Sequence, residues 1–270
     1  MRVRILSLVA VLVLLAFPLL AGAQAQGQQS RLDDIVKAGT VKLGVFTDLE
    51  PYGYLDASGK NVGYDVDLGL ELAKRLGVKT EFVQVTGPTR VPSLAAGKVD
   101  VVIADFTRTL ERSKLIAFSD PYIVVGNTYM VLAKRTELKT AADLNKPSIK
   151  VAISRGGTSE QTVPASLPNA TLVRFDNYND ILIAVRTGKA DVVSEDNIFT
   201  GQQVAKSPKE WKVIPGLFSR EDICFGVPKG DWPWYYWVNL FVHEINADGT
   251  NKALFKKWFK MDIMKLRADY

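Results

Sequence analysis

The chain has 270 residues, 47% hydrophobic and 23% charged, with a formal net charge of +5. That composition suits one large or two small soluble domains. One Cys and one His exclude a zinc cluster, and the mild charge without a long basic run excludes a nucleic-acid footprint, so no cofactor, metal or nucleic-acid partner is expected. Cys224 has no partner for a disulfide and lies in the apolar run ICFGV, which reads as a buried strand thiol.

The N-terminus has the form of an export signal. Arg2 and Arg4 precede the apolar run Ile5 to Leu20, and small-x-small sites follow at Ala21 to Ala25. Sixteen residues are short for a membrane span. The expectation is a signal peptide over 1–25, cleaved to leave a soluble exported protein. Without its two arginines the chain keeps 32 bases against 29 acids, a net charge of +3.

Further along, Ser30 caps a short helix over 31–38 that stops at Gly39. Alternation makes Val41 to Phe46 a strand, and Thr47 to Gly53 is an aromatic loop. Apolar spacing makes Tyr64 to Leu76 a helix closed by Gly77. Lys79 to Val85 is a strand, Thr89 to Ala96 a helix, and Val99 to Ile103 a buried strand. Ile123 to Gly126 is a candidate crossing between lobes. Beyond it, strands are expected at Thr128 to Ala133, Lys150 to Ile153, Thr171 to Phe175 and Asp191 to Ser194. Helices are expected at Asn179 to Thr187 and Asn197 to Ala205. Val213 to Leu217 is the candidate return crossing, followed by a strand at Ile223 to Val227 and helices at Trp232 to Asn246 and Asn251 to Phe259. This alternation argues for α/β architecture with mostly parallel sheets.

One internal echo stands out. SLAAGKVDVV at 93–102 matches AVRTGKADVV at 184–193 at Gly, Lys, Asp, Val and Val. If structural, it makes two similar α/β units whose strands end near Ala104 to Thr107 and at Glu195-Asp196, with Asp105 the counterpart of Asp196. Open α/β sheets bind ligands at the carboxyl ends of strands, so two such ends facing each other would form a cleft.

Near the first strand end, Arg112 follows Thr107 and Thr109, and a guanidinium offers a planar fork that matches a carboxylate. A solvated helix face is an equal reading from spacing alone. Arg155-Gly156-Gly157-Thr158-Ser159 joins a strand to a helix, where backbone amides can meet an anion, although a plain tight turn remains open. Asp196 suits either an ammonium contact or a helix cap. Phe46, Tyr52, Tyr54 and Phe106 sit near strand ends and are candidates for stacking on a ligand or for core packing. The cluster of Trp232, Trp234, Tyr235, Tyr236 and Trp237 reads as packing or a partner surface, and His243 has no Ser-His-Asp setting.

At these residues the chain resembles a known family. The segments LGVFTDLEPYGYLDASGKNVGYDVDL, TRVPSLAAGKVDVVIADFTRTLERSKLIAFSDPY, SRGGTSE and GKADVVSED follow in the order seen in periplasmic solute-binding proteins of polar amino acid ABC transporters, family 3, with the type II periplasmic binding protein fold. The resemblance implies two α/β lobes: lobe 1 over 31–123 and 218–270, and lobe 2 over 124–217. Two crossing segments would join them, with a ligand cleft between. It implies an amino acid ligand, a membrane ABC permease as partner, a periplasmic monomer and no enzymatic activity. Arg112 would hold the ligand carboxylate with help from Thr107, Thr158 and Ser159, and Asp196 would hold the ammonium. Position 105 usually lends its backbone carbonyl, yet here it is Asp where small or hydroxylated residues are usual. Phe46 replaces the Asp of some basic amino acid binders, and Arg90 resembles an Arg of several acidic amino acid binders. Arg90 points to an acidic or amide ligand, whereas Asp105 points to a cation or to a pair with Arg90; the expectation drawn is an acidic or polar side chain. Glu195, beside Asp196, also admits an enzyme of the cyclohexadienyl dehydratase type, acting as general acid if burial raises its pKa.

Overall fold

The computed structural model describes residues 30–263, so the signal-peptide expectation for 1–25 lies outside the described residues. The first lobe opens with α1 (Arg31–Ala38), capped by the Ser30 hydroxyl, which accepts from the Asp33 N–H at 3.2 Å. Then come β1 (Thr40–Val45), β2 (Asp48–Leu49), β3 (Gly53–Leu55), β4 (Asn61–Val62), α2 (Tyr64–Leu76), β5 (Lys79–Gln84), a 3-10 turn at Gly87–Thr89, α3 (Arg90–Ala95), β6 (Val101–Val102), α4 (Leu110–Ser113) and β7 (Ile116–Val125). The second lobe contains β8 (Asn127–Leu132), α5 (Ala141–Leu144), β9 (Lys150–Ser154), α6 (Ser159–Ser166), β10 (Thr171–Phe175), α7 (Tyr178–Arg186), β11 (Val192–Asp196), α8 (Asn197–Lys206) and β12 (Trp211–Ile214). The chain then returns through β13 (Glu221–Pro228), α9 (Trp232–Ala247) and α10 (Thr250–Phe259).

Two five-stranded sheets result, in the orders β5-β1-β6-β13-β7 and β10-β9-β11-β8-β12. In each, four strands run the same way and one, β13 or β8, runs against both its neighbours. Four of five strands thus share one direction in each sheet, with a single reversed strand: β13 re-enters the first lobe from the second and runs against β6 and β7. Val213 and Ile214 belong to β12, so the return connection runs after Ile214, not from Val213. The loop expected at Thr47 to Gly53 carries β2, which joins β3 and β4 in a small third sheet.

The inner strands of the second sheet, β8, β9 and β11, are buried on both faces, which is why they read as largely apolar runs. Val151 and Ile153 pack with Leu144 and Val163 on one side, while Ala152 and Val193 face Ile181, Val185 and Phe199 on the other. The period-2 strand geometry sends alternate residues to opposite layers.

The sequence echo is structural. Gly97 and Gly188 both take left-handed backbone, at φ 67° and 75°, ending the preceding helix. Asp100 then accepts the Lys42 N–H of β1 at 2.7 Å and pairs with Arg31 at 3.2 Å. Asp191 accepts the Lys150 N–H of β9 at 2.9 Å and pairs with Arg135 at 2.7 Å. Each aspartate thus ties the turn to the neighbouring strand, and each unit ends its strand in an acidic residue three positions after the second matching valine.

Candidate ligand-binding cleft

The ends of β6 and β11 face one another across a cavity of about 340 Å³, including solvent at its mouth. Its wall brings together Arg90, Asp105, Thr107, Arg112, Thr158, Ser159 and Asp196, seven of the ten residues singled out from the sequence. The other three stand behind this wall. Tyr52 is fully buried and donates its hydroxyl to Asp196 Oδ1 at 3.1 Å. Phe46 and Phe106 lie against the Arg90 guanidinium, 5.1 and 4.6 Å from ring centroid to Cζ, and Phe106 also supports Arg112 at 5.0 Å.

Arg112 comes from α4, a single turn whose cap, Thr109, accepts the Arg112 N–H at 3.2 Å. Its two terminal nitrogens donate to the carbonyls of Thr107 (2.5 Å) and of Gly156 in the opposite lobe (2.7 Å). Neither bond is to a carboxylate. Burial, with Arg90 alongside, pulls its pKa down to about 9. Its hydrogen bonds go to neutral carbonyls, so an arriving carboxylate would give it a charge-assisted partner.

Arg90 is 2% exposed and engaged with carbonyls: Gly87, Ala104, Asp105 and, across the cleft, Gly156. The family resemblance pointed to Arg90 but not to this commitment to the backbone.

The acidic side is dense. Asp196 caps α8, its Oδ1 accepting from Ile198 N–H at 2.7 Å and Phe199 N–H at 2.9 Å, while Oδ2 has no partner in the protein. Both readings of Asp196, helix cap and cleft wall, therefore coexist. Burial outweighs the cap bonds and lifts its pKa to about 6. Asp105 sits at φ 40°, its N–H bound to Asp65 Oδ2 at 2.8 Å and its carbonyl to Arg90 at 2.8 Å, with Oδ1 buried and unpartnered. Burial first, then Asp196, Glu195 and Asp65, push its pKa well up. Asp65, behind it on α2, is raised to about 7 by burial despite the Asp105 N–H and the Tyr122 hydroxyl. Glu195 is 8% exposed and raised mainly by burial, then by Asp196.

Among the lining residues left out of the sequence-based set are Tyr178, Asn127, Glu195 and Glu221. Glu221, the first residue of β13, accepts the hydroxyls of Thr107 at 2.9 Å and of Thr158 at 2.7 Å on one oxygen, bridging the lobes. Ser159 is tied into the second lobe, donating to the Ser194 carbonyl and accepting from Asn127 Nδ2. Asp105, Glu195 and Asp196 are the one cluster of three His, Cys, Asp or Glu ligand atoms among the described residues close enough to hold an ion.

The family model for bacterial extracellular solute-binding proteins, family 3, matches residues 41–261. The chain belongs to that family. Across this family 3 protein, the ABC transporter glutamine-binding protein GlnH of Bacillus subtilis is 31% identical over 245 residues, 89% of this chain and 88% of that one. The cyclohexadienyl dehydratase of Pseudomonas aeruginosa is 28% identical over 244 residues, covering 90% and 91%. Among solved structures, an ancestral amino acid-binding protein described as a precursor of cyclohexadienyl dehydratase superposes with a TM-score of 0.80 at 38% identity, covering 85% of this chain and all of that one. The fold is accordingly the two-lobed type II binding-protein fold. No helix among the described residues is long and apolar enough to cross a membrane.

Proposed function

We propose that this family 3 protein captures an amino acid between its lobes outside the cytoplasm and delivers it, as a soluble monomer, to a membrane ABC permease. The observation that carries this reading is a half-buried cation and a buried anion sharing one cavity. Arg112 has no carboxylate partner, and Asp196 has an unpartnered oxygen. A zwitterion supplies both counter-charges. Its carboxylate would lie between Arg112 and the Gly157–Ser159 turn, and its ammonium at Asp196. Thr107 and Thr158 would exchange their bond to Glu221 for one to that carboxylate.

For the side chain of the ligand, charge balance favours a polar or basic group. Four lining carboxylates, at 105, 195, 196 and 221, face two arginines. Arg90 gives little support to an acidic side chain, because four of its five N–H donors are occupied by carbonyls. Calorimetry of refolded, ligand-free protein against the twenty L-amino acids and cystine tests the proposal; no binding by any of them overturns it. Mass spectrometry of small molecules released from natively purified protein names the ligand.

A dehydratase is the second reading, favoured by one observation. Burial holds Glu195 above the ordinary carboxylate range, so it keeps a proton that a general acid could give to a leaving hydroxyl. An ultraviolet assay with prephenate and arogenate decides it. Turnover that disappears in Glu195→Gln supports this reading, and no turnover by wild type ends it.

A further inference from the structure

We propose that the Asp105 side chain is a specificity-determining residue that, with Glu195 and Asp196, forms a three-carboxylate socket for an unsubstituted primary ammonium. The proposal rests on the amino acid-binding reading above.

Backbone geometry carries the first step. Both backbone groups of Asp105 are committed, its N–H to Asp65 and its carbonyl to Arg90. The carbonyl that the family resemblance would offer to an ammonium is therefore already bridged to a guanidinium. What Asp105 presents to the cleft is its carboxylate. That residue is 8% exposed, lines the cavity, and has Oδ1 without a partner in the protein. Asp196 is 4% exposed and Oδ2 is in the same condition. Two buried, unsatisfied carboxylate oxygens aimed into one cavity are costly unless a donor arrives.

The spacing identifies the donor. One oxygen from each of Asp105, Glu195 and Asp196 lies within 4.8 Å of one from each of the others. An ammonium has three N–H donors in tetrahedral array. At a charge-assisted N···O distance of about 2.8 Å, its three acceptors stand about 4.6 Å apart. A primary ammonium thus satisfies all three oxygens at once, whereas an Nα-methyl group replaces one donor and pushes a methyl against a carboxylate. A divalent cation is the competing occupant, but the Arg90 guanidinium already sits on the Asp105 carbonyl, and its single positive charge opposes a dication there more strongly than an ammonium. Asp65 behind and Glu221 across the cleft add negative charge, so the socket prefers a ligand with net positive charge to one with an acidic side chain.

Two variants test the socket. Asp105→Asn keeps the shape and tolerates positive φ; Asp105→Gly accepts the φ of 40° and removes the side chain. Wild type and both variants are titrated calorimetrically with the twenty L-amino acids, cystine and the Nα-methyl derivative of each binder. Calcium chloride is titrated separately. In both variants the best wild-type binder is expected to weaken by about ten- to a hundred-fold, as for loss of a hydrogen bond to a charged group. The wild-type preference for the parent over its Nα-methyl derivative is expected to collapse, a ratio that a merely structural defect leaves in place. If wild type binds an amino acid and both variants keep its affinity and that ratio within three-fold, the socket is refuted while the binding-protein reading stands. If wild type binds none, that reading falls and the socket with it. If calcium displaces the amino acid from wild type but not from Asp105→Asn, the three carboxylates are a metal site and the proposal is wrong.

Discussion

Replacing Arg112 separates its contribution to binding from its contribution to the fold. In Arg112→Ala the cleft loses a half-buried guanidinium that holds two carbonyls, at 2.5 and 2.7 Å, and stacks 5.0 Å from Phe106. Two effects oppose each other in the ligand-free protein. Orphaning the Thr107 carbonyl costs about 1–3 kcal/mol if it stays dry, while the Gly156 carbonyl keeps a longer bond from Arg90 at 3.4 Å. Removing a cation that burial and Arg90 already drive down to about 9 returns part of that. With these two effects opposed, the melting temperature is expected to move by only a few degrees. Binding has no such compensation. Leaving a buried ligand carboxylate without its partner costs about 2–5 kcal/mol, or roughly 30-fold to several thousand-fold in Kd. Arg112→Lys keeps the charge but not the fork and should fall between. Calorimetry at pH 7.5 beside thermal unfolding of the ligand-free proteins makes the comparison. An alanine variant that binds the best wild-type ligand within three-fold would refute the assignment of Arg112 to the carboxylate.

Three further predictions concern closure and pH. A Cβ at Gly87 would lie 2.2 Å from the Arg155 carbonyl oxygen in the opposite lobe, so Gly87→Ala should hold the lobes apart, weakening ligand binding at least ~10-fold while leaving ligand-free stability unchanged; unchanged affinity would mean the lobes need not approach this closely. Asp48 caps α7 from the other lobe, accepting the Tyr178 N–H at 2.8 Å, and Asp48→Ala should weaken binding about five-fold, near 1 kcal/mol, as read by calorimetry. The third follows from carboxyls whose native pKa exceeds the unfolded value: Asp65 near 7 and Asp196 near 6, both raised chiefly by burial. Between about pH 4 and 7 the native state then binds more protons than the unfolded chain, so these groups lower stability as pH rises through that window, Asp65 by at most about 4 kcal/mol. Ligand-free thermal stability should fall from pH 5 to 7.5 and fall less in Asp65→Asn, whose neighbours are the Asp105 N–H, Tyr122, Arg90 and Asp196. Affinity for an ammonium ligand should move the opposite way, because it binds the ionised carboxylates. A flat stability profile would mean these groups ionise freely in the folded protein.

What the sequence disclosed was whatever repeats along the chain. Apolar periodicity marked most helices and strands, and the Gly-Lys-x-Asp-Val-Val echo located two equivalent strand ends, because each needs a left-handed glycine and an aspartate tying the turn to its neighbour. The small sheet of β2, β3 and β4 escaped because strands of two or three residues have no measurable period. Glu221 escaped for a different reason: it meets Thr107 from 114 positions away, and only the return of β13 beside β7 brings it there. Arg90 was placed correctly in space yet read for its charge, when its geometry spends that charge on carbonyls. Asp105 joins these threads. Its equivalence to Asp196 was visible as a pattern, but the conflict between a cationic ligand and a pair with Arg90 was not soluble from residue types. The fold resolves it by dividing the residue: the Asp105 carbonyl goes to Arg90, and the carboxylate is left facing the cavity. The backbone acceptor and the side-chain acceptor of one residue are thus free to serve two different cations, and no reading that assigns one role per residue will find it.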